Sequence, residues 1–500
     1  MPRLTEAERR LWNAFPAGEF VDLGGAAPGR RRGSNAIVTT AAENAPKDGD
    51  TWGPERTIRA KVIASLLLGA REAGAGTVPA VRLRGARITG QLALVSGTIP
   101  YELVMSGCHL DEPVQLTGAA TRTIRLTDCA LPGLSGGGLR VAGHLSLSGS
   151  DVTGTVRLAR AVFESGLWLG GTRIVGDDDE WALYVNATVI DAGLFLRNAH
   201  CTGGVSLVGA RLNGGCFMQG ATLRNPGKDA LTADNVVVED VMRLGDGFRA
   251  EGCVRLRGAR VNGMLELRGS VHSPDTRYAL HMSYLEAREV VLRPAEPIDG
   301  VVTLAHSKLG TLHDDPATWP AKLRLNGLTY ERLRGHGIDR RIDWVTRDPE
   351  GFRPQPYEQL AAWYLSDGND VLARRAQLAK LRARRRTQGL GGRIWGRLLD
   401  VAVGYGYRPW LAGMWFALLL AIGTAVFAGH PPRPLKPDEA PHFNAFAYAF
   451  DLLLPLPAFG QREAFDPVGW TQWLAYTLIV AGWVLATALI AGATRVLRPQ

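Results

Sequence analysis

Three short segments of the sequence hold residue types that carry out chemistry in other proteins. The stretch GLSGG at Gly133–Gly137 has the spacing of a serine-hydrolase nucleophile elbow, which also needs a strand before it and a helix after it. Gly227-Lys228 is similar to the end of a phosphate-binding loop, but Asp229 follows where a hydroxyl would be needed. His313-Asp314-Asp315 offers metal ligands without an obvious second pair. The sequence therefore predicts no catalytic, cofactor-binding or metal-binding residues, and it leaves open whether the protein is an enzyme.

The elements that would position these segments repeat along the chain. Leu147, Leu196, Leu244 and Leu292 lie 48 or 49 residues apart, and their neighbours repeat with them. Self-similarity at a fixed long period indicates stacked copies of one structural unit. A solenoid of this kind presents a surface rather than a deep cleft, which lowers the expectation of catalysis.

A shorter repeat of about eleven residues runs inside each long copy. VRLRGARI at Val81–Ile88 and VSLVGARL at Val205–Leu212 alternate apolar and polar residues with period two, which is typical of a strand with one buried face. The small residues that follow permit tight corners. We predict a mainly β protein, a right-handed parallel β-helix over residues 76–345, in which one long period contains two coils of two strands.

Polar inserts recur once in each long period. They are Val175–Trp181, Arg224–Asp229 and His272–Tyr278. If the coils stack in register, these turns project from one side as a ridge. The ridge is either a row of solvated turns or a binding face for an unknown protein partner, because insertions in solenoids often map to the binding side.

The first 75 residues predict a helical cap. Leu4–Phe15 is an amphipathic helix with Thr5 as its N-cap and Glu8 three residues later, the pattern of a capping box. Thr57–Glu72 predicts a second helix. Helices in this position cover the first coil, which would otherwise expose unpaired backbone.

The composition agrees with a solenoid. There are 60 glycines, which suit corners, and five cysteines without a CxxC pair, which suit reduced, buried positions. The formal net charge is +9. Much of the basic excess lies near the C-terminal apolar segments, and we therefore expect lipid rather than nucleic acid as its partner.

Two uncharged apolar stretches predict transmembrane helices at 410–429 and 471–494. Arginines before the first stretch and after the second predict a cytoplasmic solenoid and C-terminus at the plasma membrane, by the positive-inside rule. Residues 389–409 predict an interfacial segment. The predicted contacts to lipid headgroups are Arg384, Arg385, Arg386, Arg393, Arg397 and Arg408.

The remaining segments complete the predicted order of domains. Residues 346–388 predict a helical hairpin with a turn at Asp367–Asn369, and 430–470 predict an outer loop with a short apolar helix. Asp451 lies in that short helix, and an ionisable group near membrane depth is a candidate functional site. A span, a short helix and a second span are also the layout of a pore subunit, which would require a homo-oligomer.

Several stretches resemble an actinobacterial family that is labelled membrane-associated oxidoreductase. The resemblance covers essentially the whole chain, and its most specific motif is VGYGYRPW at Val403–Trp410. The repeats are also similar to degenerate pentapeptide or bactofilin-type β-solenoids. The label implies redox chemistry, although no cofactor motif accompanies it. We expect a membrane-anchored scaffold or protein-binding surface, with an oxidoreductase and a pore subunit as the alternatives.

Overall fold

A computed structural model describes residues 4–24, 45–177, 181–387, 409–436, 442–456 and 458–497. The chain forms two compact units, Met1–Gly351 and Phe352–Gln500. The first unit is a parallel β-solenoid of about 11 turns, as the repeats predict, and the second is helical.

Each turn of the solenoid passes through four short strands, which we number as faces 1 to 4. In one turn, Glu102–Ser106 lies on face 1, His109–Leu110 on face 2, Val114–Gln115 on face 3 and Ala120–Thr121 on face 4. The next turn begins at Ile124, which pairs in parallel with Leu103. The prediction of two strands per coil is wrong, because two turns of four strands fill one long period.

The strands stack into one column on each face. Face 1 contains Phe20–Asp22, Ala80–Arg84, Glu102–Ser106, Ile124–Thr127, Leu145–Ser146, Gly166–Trp168, Gly193–Phe195, Cys216–Phe217 and Met242–Leu244. Face 2 contains Thr57–Arg59, Arg87–Thr89, His109–Leu110, Ala130–Leu131, Asp151–Val152, Arg173–Val175, His200–Thr202 and Ser270–His272.

The other two columns follow the same order. Face 3 contains Val114–Gln115, Leu134–Ser135, Val156–Arg157, Trp181–Tyr184, Gly204–Ser206, Leu280–His281, Val301–Thr303 and Lys322–Arg324. Face 4 contains Thr98–Ile99, Ala120–Thr121, Arg140–Val141, Val162–Phe163, Val189–Ile190, Arg211–Leu212 and Val237–Val238.

Six longer strands bend through a corner and serve two faces. Thr222–Thr232 and Arg249–Arg255 run from face 2 to face 3. The strands that run from face 4 to face 1 are Arg260–Leu267, Glu286–Leu292, Lys308–Asp314 and Thr329–Arg334. Short 3-10 turns lie at Phe15–Ala17, Pro46–Thr51, Pro54–Arg56 and Pro316–Thr318.

The core consists of apolar columns. In each column, the inward-facing residue of one strand stacks on that of the strand in the next turn. On face 3 the column runs through Val156, Leu183, Val205, Leu231 and Val254, each fully buried. Burying such a side chain contributes about 1.5–3 kcal/mol. A slip of one residue would turn the whole column outward, so the alternation fixes the register.

The repeating leucines mark alternate turns of the same column. Leu147, Leu196, Leu244 and Leu292 point inward at the end of face 1, and all are buried. Leu169 occupies the turn between the first two, where its amide donates to the carbonyl of Phe195. The long period predicted from the sequence is therefore confirmed as a pair of turns.

Helices lie at both ends of this unit. Helix α1 (Glu6–Ala14) begins with the predicted capping box between Thr5 and Glu8, which is confirmed. Glu8 is fully buried and accepts two hydrogen bonds of 2.6 Å from the Arg59 guanidinium. Helix α2 spans only Ala60–Leu67, because Thr57–Arg59 is a strand of face 2. Helix α3 (Ile338–Val345) follows the last strand.

The second unit begins with helices α4 (Pro354–Ser366) and α5 (Asp370–Arg386), which match the predicted hairpin. Helices α6 (Pro409–Gly429), α7 (Ala445–Leu453), α8 (Gln461–Ala464) and α9 (Trp470–Leu497) follow. The short strands Arg433–Pro434 and Phe465–Asp466 pair antiparallel. The core of this bundle contains Phe427, Tyr448, Leu452, Leu453, Phe465, Ala475 and Leu478.

Helices α6 and α9 occupy the two stretches that predict transmembrane spans. Within the ranges described above, no helix combines the length and the apolar character that crossing a membrane requires. The prediction of two membrane-spanning helices at 410–429 and 471–494 is therefore not confirmed. The predicted interfacial segment at 389–409 lies almost wholly outside the described residues.

Candidate partner-binding surface

Three aromatic residues stand above one another on the outside of face 1. Trp168, Phe195 and Phe217 occupy the same register position on three consecutive turns. The ring centroids of Trp168 and Phe195 are 4.2 Å apart with an interplanar angle of 18°. Those of Phe195 and Phe217 are 5.1 Å apart at 4°. We call this stack the aromatic ladder.

Glycines beside the ladder allow its rings to lie along the sheet. A Cβ atom on Gly166 would meet the Trp168 indole nitrogen at 2.9 Å and the Phe195 ring at 3.3 Å. A Cβ atom on Gly215 would meet the Phe217 ring at 3.3 Å. The rings thus cover strand positions that have no side chain, an arrangement that also protects the glycines.

The ladder nevertheless leaves apolar surface in water. Trp168 is 43% exposed, although most large apolar side chains of the solenoid are buried. The ring faces contact each other, so a ligand meets mainly the ring edges. Phe195 and Phe217 are half-buried, so the ladder offers one exposed indole beside two partly accessible phenyl rings. An exposed apolar patch with a polar rim is typical of an interaction site.

Arginines surround the ladder. Arg125 precedes Trp168 by two turns in the same column, and Arg243 follows Phe217 by one turn. The Arg197 guanidinium lies 5.3 Å from the centre of the Phe217 ring, a cation–π contact. Arg243 has only a loose ion pair, 3.8 Å from Glu266. The rim therefore offers positive charge at both ends and on one side.

His144 borders the Trp168 end of the ladder, with its ring 6.4 Å from the indole in an edge-to-face contact. Burial lowers the pKa of His144, and the charge of Arg125 lowers it further, against a smaller opposing effect of Glu102. The imidazole is therefore neutral at pH 7 and adds no charge to the rim.

The opposite edge of face 1 is acidic but partly compensated. Asp191 accepts a hydrogen bond of 2.7 Å from the Asn213 amide, and Glu239 accepts one of 2.5 Å from the Asn262 amide. These pairs link successive turns along the corner between faces 4 and 1. A ligand on the ladder thus has an arginine side and a carboxylate side.

Two polar atoms beside Phe217 lack hydrogen bonds. The Gln219 side-chain oxygen and the Arg243 Nε are both buried without a hydrogen bond, and the Glu266 carboxylate lies 3.8 Å from Arg243 Nε, too far for one. Buried polar atoms are nearly always paired, so each such exception needs a reason. An acceptor for Arg243 and a donor for Gln219 are what two consecutive peptide groups of an extended chain supply, once the two side chains rotate toward them.

The predicted ridge occurs on one corner of the solenoid. All three inserts join face 2 to face 3, between register partners that otherwise stack without interruption. Asp177 of the first insert accepts from the Thr155 hydroxyl of the solenoid at 3.2 Å, and within the second insert the Asn225 amide donates to the Asp229 carbonyl at 2.8 Å. A partner-binding role of the ridge stays a prediction.

The segments that suggested chemistry are not brought together. Ser135 lies on a face 3 strand between Gln115 and Arg157, without the helix that a nucleophile elbow needs. His313 lies 2.9 Å from Glu289, whereas Asp314 pairs with Arg341 in the interior. In the described part of the chain, no group of three or more His, Cys, Asp or Glu residues is placed to hold a metal ion.

The five cysteines are buried. Burial raises the pKa of Cys201 and of Cys216 to about 12, and burial together with Asp229 does the same for Cys253. The thiolate is the nucleophilic form of cysteine, so these three residues are unreactive at neutral pH.

Cys108 and Cys129 occupy a corner position that other turns fill with hydroxyl residues. Cys129 Sγ lies 3.6 Å from the Met105 carbonyl of the preceding turn, where Ser150 Oγ donates to the Leu126 carbonyl at 2.7 Å. Thr172 makes the equivalent bond to Leu147 at 2.9 Å. These cysteines act as weak donors in a repeating corner bond.

We expect the double substitution Cys108→Ser, Cys129→Ser to change the free energy of unfolding by less than about 1 kcal/mol, because serine makes the same corner bond. Cys216→Ser is the matched control: Cys216 is fully buried between Leu194 and Met242, so the substitution places a hydroxyl among apolar side chains. The control should cost about 1–3 kcal/mol. Urea unfolding followed by circular dichroism measures both, and a larger loss in the double variant would assign these thiols another role.

The predicted membrane-proximal residues fall in two groups. Arg384, Arg385 and Arg386 form the last turn of helix α5, whereas Arg393, Arg397 and Arg408 lie outside the described residues. Asp451 is fully buried, and its carboxylate accepts bonds of 2.8 Å from the amides of Ala458, Phe459 and Gln461. These contacts hold the loop after helix α7, and a role in ion passage stays a prediction.

Sequence reasoning missed the aromatic ladder. Its signal is present, because Trp168, Phe195 and Phe217 each follow an inward apolar residue of face 1 by one position. An alignment of single turns rather than of pairs of turns would have revealed it. Comparison with protein-family models, curated proteins and solved structures gives no match to this chain.

Proposed function

We propose that the protein is a membrane-attached scaffold whose solenoid binds another protein through the aromatic ladder on face 1. The observation that carries this proposal is the outward-facing stack of Trp168, Phe195 and Phe217, in which Trp168 is exposed and the two phenylalanines are half-buried. Aromatic residues and arginine are the side chains that contribute most to protein interfaces. A regular solenoid holds them rigidly, which lowers the entropic cost of binding.

The helical unit supports the attachment to a membrane. Helix α6 exposes Met414, Leu418 and Ile422 at intervals of four residues. Helix α9 exposes a longer stripe, which consists of Trp473, Tyr476, Val480, Trp483 and Val484. Aromatic side chains on such a stripe suit the boundary between headgroups and acyl chains. The arginines at the end of α5 suit anionic headgroups.

Several features of the proposal come from the sequence alone. They are the plasma membrane as location, the cytoplasmic side for the solenoid and the family membership. We include the right-handed winding, because connections between parallel strands are right-handed in nearly all proteins. Recovery of the full-length chain in the soluble fraction of lysed cells would contradict the attachment.

The two alternatives make separate predictions. An oxidoreductase would contain a bound flavin or haem that is visible in the absorption spectrum, and a pore subunit would form a closed ring. The contacts of Asp451 and the raised pKa values of Cys201 and Cys216 favour neither.

The mass of the full-length protein, extracted from its own cells in a mild detergent, tests the proposal. We expect a complex heavier than one chain that shrinks when Trp168→Ser, Phe195→Ser and Phe217→Ser are combined. Arg211→Ser on face 4 is the matched control and should leave the complex intact, because Arg211 is exposed away from face 1. An unchanged mass in the triple variant, or a single chain in the wild type, would reject the proposal.

A further inference from the structure

We infer that the partner of the aromatic ladder is an extended acidic peptide segment that runs along the solenoid axis. Apolar side chains in its middle contact the edges of the three rings, and its carboxylates pair with Arg125 at one end and Arg243 at the other. This inference rests on the proposed function, since it names the chemistry of the segment that the surface binds.

The spacing of the two arginines sets the length of the segment. Five steps between neighbouring strands separate Arg125 from Arg243, through Ser146 and the three rings. At about 4.8 Å per step the two positions lie about 24 Å apart. An extended chain rises about 3.3 Å per residue, so carboxylates about seven residues apart reach both guanidinium groups.

The charge along the rim distinguishes an acidic peptide from other partners. Arg125 is exposed, Arg197 is exposed beside the rings, and Arg243 is only loosely paired. Glu164 and Asp191 flank the middle of the ladder. A peptide with carboxylates at its two ends and apolar residues in its middle fits this pattern. Its middle part has no negative charge that Glu164 and Asp191 would repel.

A single-stranded nucleic acid fits the same surface poorly. Bases bind by stacking on exposed aromatic faces, but here the faces of Phe195 are covered by Trp168 and Phe217. An evenly charged phosphate backbone would also pass the carboxylates of Glu164 and Asp191.

A second copy of this chain fits poorly too. A two-fold axis parallel to the solenoid would place Arg125 against Arg125 and Arg243 against Arg243. A two-fold axis along the strands would place the acidic edge, with Asp191 and Glu239, against itself. Both arrangements bring like charges together across an interface, which is unfavourable.

The unpaired polar atoms beside Phe217 point to a peptide main chain. The Gln219 side-chain oxygen needs a donor and Arg243 Nε needs an acceptor, and both lie buried on adjacent turns. Consecutive peptide groups of an extended chain present an N–H and a C=O at this end of the ladder.

Selection from a random library tests the inference without knowledge of the partner. Peptides of about twelve residues, long enough for the span above, are selected on full-length protein held in nanodiscs. We expect enrichment of sequences with Asp or Glu about seven residues apart on either side of apolar residues. Arg125→Glu should weaken a selected peptide by about tenfold or more, whereas Arg140→Glu, an exposed arginine on face 4, should not.

The outcomes separate this inference from the proposed function. No enrichment, enrichment of basic or acid-poor sequences, or equal binding to the Arg125→Glu variant would overturn the acidic peptide. Trp168→Ser should abolish the enrichment, and its persistence would also reject the inference. In each of these cases the mass of the cellular complex still decides whether the ladder binds a protein at all.

Discussion

Substitution of Arg341 by alanine is expected to lower the free energy of unfolding of the solenoid by about 3–5 kcal/mol. Arg341 is fully buried in helix α3, and its guanidinium bonds both Asp314 oxygens, at 2.7 and 2.8 Å. The indole of Trp319 donates to the same carboxylate at 2.9 Å. Alanine would leave a buried carboxylate with one remaining donor.

Urea unfolding of the full-length protein, followed by the β signal in circular dichroism, measures this loss. Arg341→Lys keeps the charge but not the bidentate geometry, and it should retain part of the stability. It replaces the alanine variant in this measurement if that variant does not fold. Lys308→Ala is the control: it removes an ion pair to Glu286 at 3.2 Å in which the lysine is 73% exposed, so the midpoint should stay unchanged. Equal midpoints for Arg341→Ala and wild type would show that α3 does not hold the end of the solenoid.

Asp451→Ala is expected to release the loop after helix α7. Three backbone amides, of Ala458, Phe459 and Gln461, donate to this one buried carboxylate. Alanine would remove the acceptor of all three and would leave the Gln461 amide buried without one. An unpaired buried donor costs about 1–3 kcal/mol, and the two exposed amides lose a bond to a charged acceptor as well. We expect these amides to exchange with solvent faster by about a hundredfold, which corresponds to about 3 kcal/mol.

Hydrogen exchange read by mass spectrometry reports this change directly. Asp451→Asn should show a smaller effect, because its oxygen still accepts two bonds while its amide group faces the Gln461 N–H. Asp466→Ala, an exposed carboxylate nearby, should leave the exchange unaltered. If these amides exchange in Asp451→Ala as slowly as in the wild type, Asp451 does not hold the loop, and the result would favour the predicted role in ion passage.

The features that the sequence predicts well are periodic or local. Alternation such as that of Val205 and Leu207 identifies strands and their inward side, because burial of one face imposes period two. The capping box of Thr5 and Glu8 is equally visible, since both partners lie within one turn of helix. These patterns depend on neighbouring residues and need no knowledge of the tertiary structure.

The features that it does not predict depend on contacts between distant residues. The sequence around Asp314 predicts a surface turn. In the structure, helix α3 places Arg341, which is 27 positions later, against the Asp314 carboxylate. The number of strands in a turn follows from the pairing of Leu145 with Leu167, not from any local signal. The aromatic ladder likewise becomes visible only when Trp168 is stacked on Phe195.

Photo-crosslinking in living cells tests the central claim most directly. A benzophenone amino acid replaces Phe195 in the ladder, and in a matched strain it replaces Arg211, which is exposed on face 4. We expect light to join a second, different protein to position 195 and not to position 211. The absence of a product at position 195, or the same products at both positions, would contradict a protein-binding role for face 1.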